Sequence, residues 1–381
     1  MTESTNSTTS TGEDRLSVAT QRQLMWWRFK KHKIAVISLW IVIIFYIVVL
    51  GAEFLSTSDP TKGRSARAVV PPQPIFTFDH GAFRLHVCGI KGERDSYTLQ
   101  KTYKTDCTQK IDLTFFAHGF AYKLFGLFPT DRHFLGVAEG QGVTAEESIF
   151  LLGTDEQGRD LFSRILHGSR TSLTIGLIGV AMSLTLGITL GGISGFFGGY
   201  IDNVIQRTIE IIRSIPTIPL WMGLAAALPP SWSIIQIYFA ITVIISLFAW
   251  TDLARVVRGR FLAMREEDFV TAALVAGAKW QDIIFRHMVP SFYSHLIASA
   301  TLAIPFMILS ETALSFLGLG LRPPAISWGV LLQAAQNVQA IALTPWLMIP
   351  AVPVIIIILA LNFMGDGLRD AADPYSAVES G

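Results

Sequence analysis

Charge is what this sequence has least of. Asp, Glu, Lys and Arg make up 15% of its 381 residues, whereas a typical soluble domain has about 25%. The 30 basic and 29 acidic side chains leave a net charge of +1, so neither sign is in excess and nothing favours nucleic acid as a partner. Hydrophobic side chains instead reach 51%, and the mean hydropathy is +0.46. This composition is typical of a chain embedded in a membrane.

The uncharged residues form long uninterrupted runs. About 20 apolar residues suffice to span a bilayer as a helix. The charge-free runs are 34–52, 171–201, 214–251, 287–310 and 323–365. The third run is broken by Pro229 and Pro230 beside Trp232, which indicates a turn at the membrane surface. The predicted fold is therefore an all-α polytopic membrane protein with six transmembrane helices, at about 34–50, 171–195, 211–227, 233–250, 296–316 and 346–363.

Basic residues indicate which way the predicted helices run. Six Lys or Arg precede residue 34, and another six lie within 251–294. The connections on the opposite side carry almost none: 228–232 has no basic residue, and only Arg322 lies between the fifth and sixth helices. Because basic residues concentrate in cytoplasmic loops, both termini are predicted to be cytoplasmic.

Composition also divides the chain outside the helices. Residues 1–14 are rich in Ser and Thr and contain no aromatic residue, which predicts a disordered cytoplasmic tail. The alternating stretches 75–78 and 83–87 predict strands. The expected domains are that tail, an amphipathic segment with the first helix at 15–55, a small β-containing extracytoplasmic insert at 56–152, a membrane core at 153–374 and a C-terminal tail at 375–381.

Both cysteines of the chain, Cys88 and Cys107, lie in this insert. In an oxidising compartment a bond between them would close a loop of about 20 residues and contribute roughly 3 kcal/mol to stability in the chain-entropy view. The alternative is a pair of free thiols. A small domain outside the cytoplasm gains from such a bond, so the disulfide is the favoured expectation.

The loop at 265–290 carries the clearest soluble pattern. Acidic residues open it, which suits the positive end of a helix dipole, and Gly277 suits a left-handed helix cap. This pattern predicts a short helix, a glycine turn and a second helix up to Pro290. The small residues Ala272, Ala273 and Ala276 would leave a smooth face. Taken alone, that face fits either a protein partner or a helix lying on lipid.

The same loop resembles the EAA loop of permeases in ABC importers. In that loop an Ala-Ala pair is followed by a Gly and, thirteen residues after the Gly, by a Pro; here these are Ala272, Ala273, Gly277 and Pro290. Thr271 stands where Glu is usual, and His287 and Val289 also depart from the generic pattern. An Arg-His-x-x-Pro ending like that at 286–290 is common in the peptide-permease branch.

Four further stretches resemble the dipeptide/oligopeptide permease branch, specifically its C-type subunits. They are Leu-Gly-Thr-Asp-Glu-Gln-Gly-Arg-Asp at 152–160, Gly-Ser-Arg-Thr-Ser-Leu at 168–173, Glu-Thr-Ala-Leu-Ser-Phe-Leu-Gly-Leu-Gly at 311–320 and Asn-Phe-Met-Gly-Asp-Gly-Leu-Arg-Asp at 362–370. The resemblance covers the first predicted helix and everything from Leu152 to Pro374.

This resemblance implies the type I ABC-importer permease fold and a subunit for peptide uptake in a bacterial inner membrane. The implied partners are a second homologous permease, two ATPase subunits and a periplasmic substrate-binding protein. The stretch from Asp268 through Thr271 to Pro290 would then dock on an ATPase. No G-x-x-x-x-G-K-[ST] motif occurs in the chain, so we expect no cofactor and no enzymatic activity here, and ATP would be used by the partners. Related permeases also serve oligosaccharides, opines or nickel, which remain alternatives.

Charged residues near the predicted helices are the other candidates for function. Glu311 falls within the fifth helix, where an ionisable residue is costly; it would contact a substrate amine or, as the resemblance favours, a structural partner. Five residues of alternating sign before the second helix would order an outer gate or contact the binding protein: Asp155, Arg159, Asp160, Arg164 and Arg170.

Two other classes of protein fit the sequence less well. An intramembrane hydrolase would need a catalytic constellation, but no H-E-x-x-H or other metal pattern occurs, and no metal site is expected. A stand-alone channel would need a repeated polar stripe, which these aliphatic helices lack. Gly187, Gly191, Gly195 and Gly199 instead form a small-residue ridge, for which packing within the chain is favoured over a subunit interface.

Overall fold

A computed structural model describes residues 21–79, 82–94 and 101–372. The predicted tails at 1–14 and 375–381 lie outside the described residues. The described chain forms a bundle of long helices with a small sheet at one end. We call that end the insert side and the opposite end, where residues 265–290 lie, the loop side.

Fifteen α-helices occur in the described residues, several of them a single turn long. In chain order they are α1 Gln21–Lys31, α2 Lys33–Leu50, α3 Ala52–Leu55, α4 Ala145–Ser148, α5 Leu161–Phe197, α6 Gly199–Ser214, α7 Thr217–Ala226, α8 Ile234–Met264, α9 Asp268–Val275, α10 Trp280–Asp282, α11 Val289–Ser291, α12 Tyr293–Phe316, α13 Trp328–Gln333, α14 Val338–Leu343 and α15 Ala351–Ala372. Short 3₁₀ turns lie at Ser65–Arg67, Ala334–Gln336 and Pro345–Met348, and a π-helical turn lies at Ile283–Met288.

Five segments of the described chain are long and apolar enough to cross a membrane. They are Lys33–Leu50, Leu161–Phe197, Ile234–Met264, Tyr293–Phe316 and Pro345–Ala372. These correspond to the first, second, fourth, fifth and sixth predicted helices. Several extend well beyond the predicted apolar cores. Helix α5, for example, starts ten residues before the predicted second helix, where the side chain of Asp160 accepts a hydrogen bond from Ser163 N–H and caps it.

The prediction of one continuous third helix at 211–227 is wrong. The chain forms α6 and α7 instead, and their axes meet at 84°. Pro216 causes the break, because proline has no N–H to donate and disfavours helical geometry in the preceding residue. Ile215 accordingly has extended backbone angles, φ −92° and ψ 130°. The bent pair still returns the chain from the loop side to the insert side, because α8 starts beside the first turns of α5.

The packing of α8 against α5 is antiparallel and very close. Tyr238 Oη donates to Thr174 Oγ1 at 2.9 Å near the insert side. Further along, a methyl group on Gly191 would lie 2.5 Å from the carbonyl oxygen of Ala254, so glycine is required for this approach. Gly187 and Gly195 face α8 in the same way, which confirms packing within the chain for three of the four ridge glycines. Gly199 lies outside α5 and has no neighbour there.

The insert contains an antiparallel sheet of four strands, which confirms its predicted β character. The strands are β1 Phe76–Asp79, β2 Ala82–Arg94, β3 Lys101–Leu124 and β4 Phe128–Val137, paired in that order. The core of this domain is apolar and small, with Val87, Leu113 and Ile149 among its buried members. Cys88 on β2 and Cys107 on β3 are joined by a disulfide in the structure.

Because this domain has little apolar core, we expect it to depend on the disulfide. Replacing Cys88 and Cys107 together by Ser should cost about 3 kcal/mol, since the loop between them regains its freedom when unfolded. Limited proteolysis of the purified protein should then cut the insert faster, while the membrane helices stay protected. Alkylation of both thiols in the untreated wild-type protein would contradict the bond.

Candidate functional site

The loop at 265–290 is built around a glycine-capped helix. Helix α9 ends in a turn in which Ala278 N–H donates to the carbonyl of Ala273 and Gly277 N–H to that of Leu274, both at 3.0 Å. This pair of bonds is the Schellman cap, which needs a left-handed residue. Gly277 supplies it with φ +77°, and no atom lies within 4 Å of where its side chain would begin. The glycine is therefore required by the backbone and not by crowding.

The second half of the loop is helical up to Pro290 but irregular. It runs through α10, the π-helical turn Ile283–Met288 and α11. Pro290 cannot donate the N–H that an α-helix would direct to Arg286, which fits the wider turn just before it. The second helix predicted for this loop is therefore present, but part of it is a π-helical turn, which the sequence pattern did not indicate.

One face of the loop is anchored and the other is open. Val270, Ile284 and Met288 are fully buried against the end of α8. Other apolar side chains of the loop stay exposed, and we call them the open face: Phe269, Ala272, Leu274, Val275 and Trp280. Val275, the last residue of α9, is 85% exposed. Of the predicted loop residues, Asp268, Thr271, Ala272 and Gly277 are exposed, whereas Ala273 and Pro290 are half-buried.

The five charged residues before and within the start of α5 separate into three arrangements. The first is a network around Asp155, whose Oδ2 lies 2.7 Å from Arg159 Nε and 3.7 Å from Arg164 Nε. Arg164 is almost completely buried and also donates to the carbonyl of Pro60 at 3.1 Å. This network joins the segment before α5 to the beginning of the insert.

Asp160 has a different role from its charged neighbours. Its Oδ2 accepts from Ser163 N–H at 2.8 Å and so caps α5. The same oxygen accepts from Thr57 Oγ1 at 3.3 Å, whereas Oδ1 is buried without a partner. Burial raises the pKa of Asp160 to about 6.

Arg170 lies apart from both arrangements. Its guanidinium forms a bidentate ion pair with the carboxylate of Glu53, with distances of 2.6 and 2.8 Å. This pair connects α5 to α3, the short helix that follows the first membrane helix. Burial opposes ionisation of Glu53, but the hydrogen bonds from Arg170 keep the pKa of this carboxyl below its usual value. Glu53 was not among the residues predicted from the sequence. Its one local indication is that it is an acidic residue directly after the first apolar run.

Glu311 is completely buried between helices. Its carboxylate accepts from Ser172 Oγ on α5 at 3.0 Å and from Ser315 Oγ on α12 at 2.8 Å. Ser172 Oγ in turn accepts from Trp328 N–H at the start of α13 at 3.2 Å. The carboxylate therefore lies at the meeting point of three helices.

A second ion pair on the loop side was also missed. The guanidinium of Arg258 on α8 donates two hydrogen bonds, of 2.5 and 2.6 Å, to the carboxylate of Asp202 on α6. Ser194 at the end of α5 donates to the same carboxylate. These residues are 56 positions apart in the chain, so no local pattern could have paired them.

Comparison with known proteins identifies the family. Residues 187–376 match the family described as binding-protein-dependent transport system inner membrane component. Residues 20–72 match the N-terminal TM domain of oligopeptide transport permease C. An oligopeptide transport system permease protein OppC from Haemophilus influenzae is 40% identical over 60% of this chain and 71% of its own length. The chain belongs to this permease family.

Other permeases of the family extend the likeness. A dipeptide transport system permease protein DppC from Alkalihalophilus pseudofirmus is 40% identical over 61% of this chain and 74% of its own. A DppC from Lactococcus lactis is 32% identical over 92% of this chain and 90% of its own, an alignment long enough to include most of the insert. A solved methionine ABC transporter, MetNI, covers 54% of this chain and 95% of that chain with 19% identity and a TM-score of 0.43, too weak a likeness to decide the topology.

The charged residues described above form ion pairs, a helix cap and a buried hydrogen-bonded carboxylate. Among the described residues no group of His, Cys, Asp or Glu is arranged to hold a metal ion. Each cluster joins segments that are distant in the chain. The open face at 269–280 differs from these clusters because its side chains are apolar and exposed, although the ring of Trp280 lies 5.5 Å from that of Phe197.

The unusual environment of Asp160 predicts a pH dependence. Its pKa rises from 3.8 to about 6 because the ionised form is buried, so ionisation costs the folded state about 3 kcal/mol at neutral pH. The unfolding temperature of the wild type in detergent should therefore fall relative to that of Asp160→Asn as the pH rises from about 4 to 6. Asp160→Asn keeps a capping side chain and should remove this dependence.

The matched control is Asp155→Asn, because the Asp155 carboxylate is paired with two arginines. That variant should be less stable than wild type at neutral pH. If Asp160→Asn unfolds with the same pH profile as wild type, the assignment of the buried proton to Asp160 is wrong.

Proposed function

We propose that this permease is a transmembrane subunit of an ABC importer that takes up peptides. The family match and the likeness to relatives named for oligopeptide and dipeptide transport support this reading. The observation that carries it is the open face, a rigid apolar surface that needs a partner.

The proposed assembly contains a second homologous permease, two ATPase subunits and a periplasmic binding protein. ATP would be bound and hydrolysed by the ATPases, and this chain would act without a cofactor or an enzymatic activity of its own. The family match and the bacterial relatives support a bacterial inner-membrane protein, and the charge bias of the sequence supports cytoplasmic termini. The sheet at 76–137 would then lie in the periplasm, and its disulfide would suit that compartment. We also propose that the chain crosses the membrane six times and that the bent pair of α6 and α7 forms the third crossing.

The loop at 265–290 is the proposed contact with an ATPase. A coupling element must be stiff, because it transmits a movement from one subunit to another. Val270 and Met288 pack in the core at the end of α8. A displacement of α9 would therefore be transmitted directly to the membrane helices. The small side chain of Ala272 lets a partner approach the helix backbone closely.

The first test disturbs the open face without touching the anchored one. Ala272→Arg and Val275→Asp should each reduce the amount of ATPase that copurifies with the permease by about tenfold, since a charge at the centre of an apolar interface costs more than 1 kcal/mol. Uptake of labelled peptides into vesicles should fall in parallel. Thr102→Arg, at an exposed position of β3 in the insert, is the control and should retain the ATPase.

Unchanged ATPase retention in both loop variants would contradict the coupling role. Loss of retention together with loss of the folded protein would be uninformative, so membrane insertion and thermal stability are measured alongside. Peptide uptake in the wild type, absent with oligosaccharide, opine or nickel, would support the peptide reading over these alternative solutes for the same machinery.

We further propose that Glu311 is a structural tie and not a contact for the substrate. Its burial and its bonds to Ser172 and Ser315 support this role. The network of Asp155, Arg159 and Arg164, the Asp160 cap and the Arg170 pair would likewise order the outer gate. A contact with the docked binding protein is less favoured, because most of these side chains are turned inward.

Substitution at Glu311 distinguishes the two roles. Glu311→Ala leaves buried hydroxyl groups without an acceptor and should lower stability by about 3 kcal/mol, whereas Glu311→Gln keeps an acceptor and should cost about 1 kcal/mol. Thermal unfolding and peptide uptake are measured for both. If Glu311→Gln abolished uptake while stability stayed at the wild-type level, the carboxylate would be acting on the substrate.

A further inference from the structure

The hairpin formed by the end of β3 and the start of β4 exposes an unusual amount of apolar surface. We call residues 114–130 the aromatic hairpin. This stretch contains six aromatic residues, no Asp or Glu, and Lys123 as its single Lys or Arg. Five of its large apolar side chains are between 50% and 73% exposed: Phe115, Phe116, Phe125, Leu127 and Phe128.

Two of these phenylalanines occupy backbone conformations that disfavour them. Phe116 has φ +58° and Phe125 has φ +54°, in the left-handed region where bulky residues are rare. Phe125 and Gly126 form the centre of the tip, closed by a bond from Leu127 N–H to the Leu124 carbonyl at 3.1 Å. Such turns ordinarily carry Asn or Gly at the position of Phe125. Folding alone therefore gives no reason to place exposed aromatic rings there.

The hairpin lies directly against the end of the first membrane helix. One ring nitrogen of His133 is 3.1 Å from the carbonyl oxygen of Glu53, and the other is 2.9 Å from that of Phe120. The Phe54 ring lies 5.9 Å from that of Phe116, and the Tyr122 ring lies 4.9 Å from that of His133. The tip follows Tyr122 by three residues, about 10 Å along a strand.

The apolar surface of the hairpin continues a surface that faces lipid. Helix α2 exposes a stripe of apolar side chains along its whole length: Ile37, Trp40, Ile44, Ile47 and Leu50. In a helix able to cross a membrane, such a stripe contacts acyl chains. It ends where Phe54 meets Phe116 and where Phe134 lies 6.0 Å from Phe54.

We propose that the aromatic hairpin lies in the headgroup region of the bilayer beside the first membrane helix. Aromatic and basic side chains are favoured there, because apolar rings meet acyl chains while cations meet phosphates. Lys123 supplies the cation. The nearest acid in sequence, Asp131, lies outside the hairpin, with its carboxylate 2.8 Å from a ring nitrogen of His118. The left-handed phenylalanines then serve to turn their rings toward the membrane.

A fluorophore placed at the tip tests this directly. The two cysteines of the chain are both in the disulfide, so Leu127→Cys adds a single free thiol for labelling. The labelled full chain is reconstituted with its copurifying subunits into vesicles that contain lipids brominated near the headgroup. We expect roughly twofold quenching at position 127. Thr102→Cys, exposed at the start of β3 and far along the chain from the tip, is the control and should stay unquenched.

Equal, low quenching at both positions would overturn the proposal. Protection of position 127 from aqueous iodide without quenching by brominated lipid would also overturn it, and would indicate a protein partner such as the second permease or the binding protein.

A substitution separates membrane contact from folding. Phe125→Gly suits the left-handed conformation, so its unfolding temperature in detergent should be no lower than that of wild type. Quenching of a label at position 127 by brominated lipid should nevertheless fall in this variant. A lower unfolding temperature with unchanged quenching would show that the ring packs within the protein and would overturn the proposal.

Discussion

The close packing of α8 on α5 is the constraint on which the rest of the molecule depends. Gly191 and Gly195 allow the two backbones to approach within a distance that any side chain would prevent. The contact fixes the position of Phe261 near the end of α8, and Phe261 in turn belongs to the core that anchors the loop at 265–290. A rigid loop at the surface thus follows from glycines buried well inside the bundle.

On the insert side, polar contacts determine how the helices pack, whereas on the loop side glycines do so. Helices in a membrane gain little from burying apolar groups against one another, because lipid is equally apolar, so buried polar groups specify how they meet. Glu311 joins α5, α12 and α13 through serine hydroxyls, and Arg170 joins α5 to the end of the first helix through Glu53. Each tie satisfies groups that would otherwise be buried alone. The insert is held by the same means, through the network around Asp155.

Much of this architecture could be predicted from the sequence, and what could not be predicted has a common cause. Apolar runs locate membrane helices well because the bilayer imposes one simple requirement on length and charge. The glycine turn at Gly277 was predictable for a similar reason, since its signal is local. The bend at Pro216 was missed because hydropathy does not register a missing N–H inside an apolar run. The partners of Arg258 and Arg170 were missed because they lie 56 and 117 residues away.

The two ends of the bundle expose apolar surfaces of different chemistry, and the difference bears on what each surface meets. The open face on the loop side combines the smaller side chains of Ala272, Leu274 and Val275 on α9 with the rings of Phe269 and Trp280. That composition favours close docking of another folded protein, because small residues allow backbones to approach. The aromatic hairpin instead presents large rings on a two-stranded tip, with Lys123 among them. Rings of this kind partition to a fluid interface without needing a complementary shape. On these two proposals, one chain would contact a protein at one end and a lipid surface at the other.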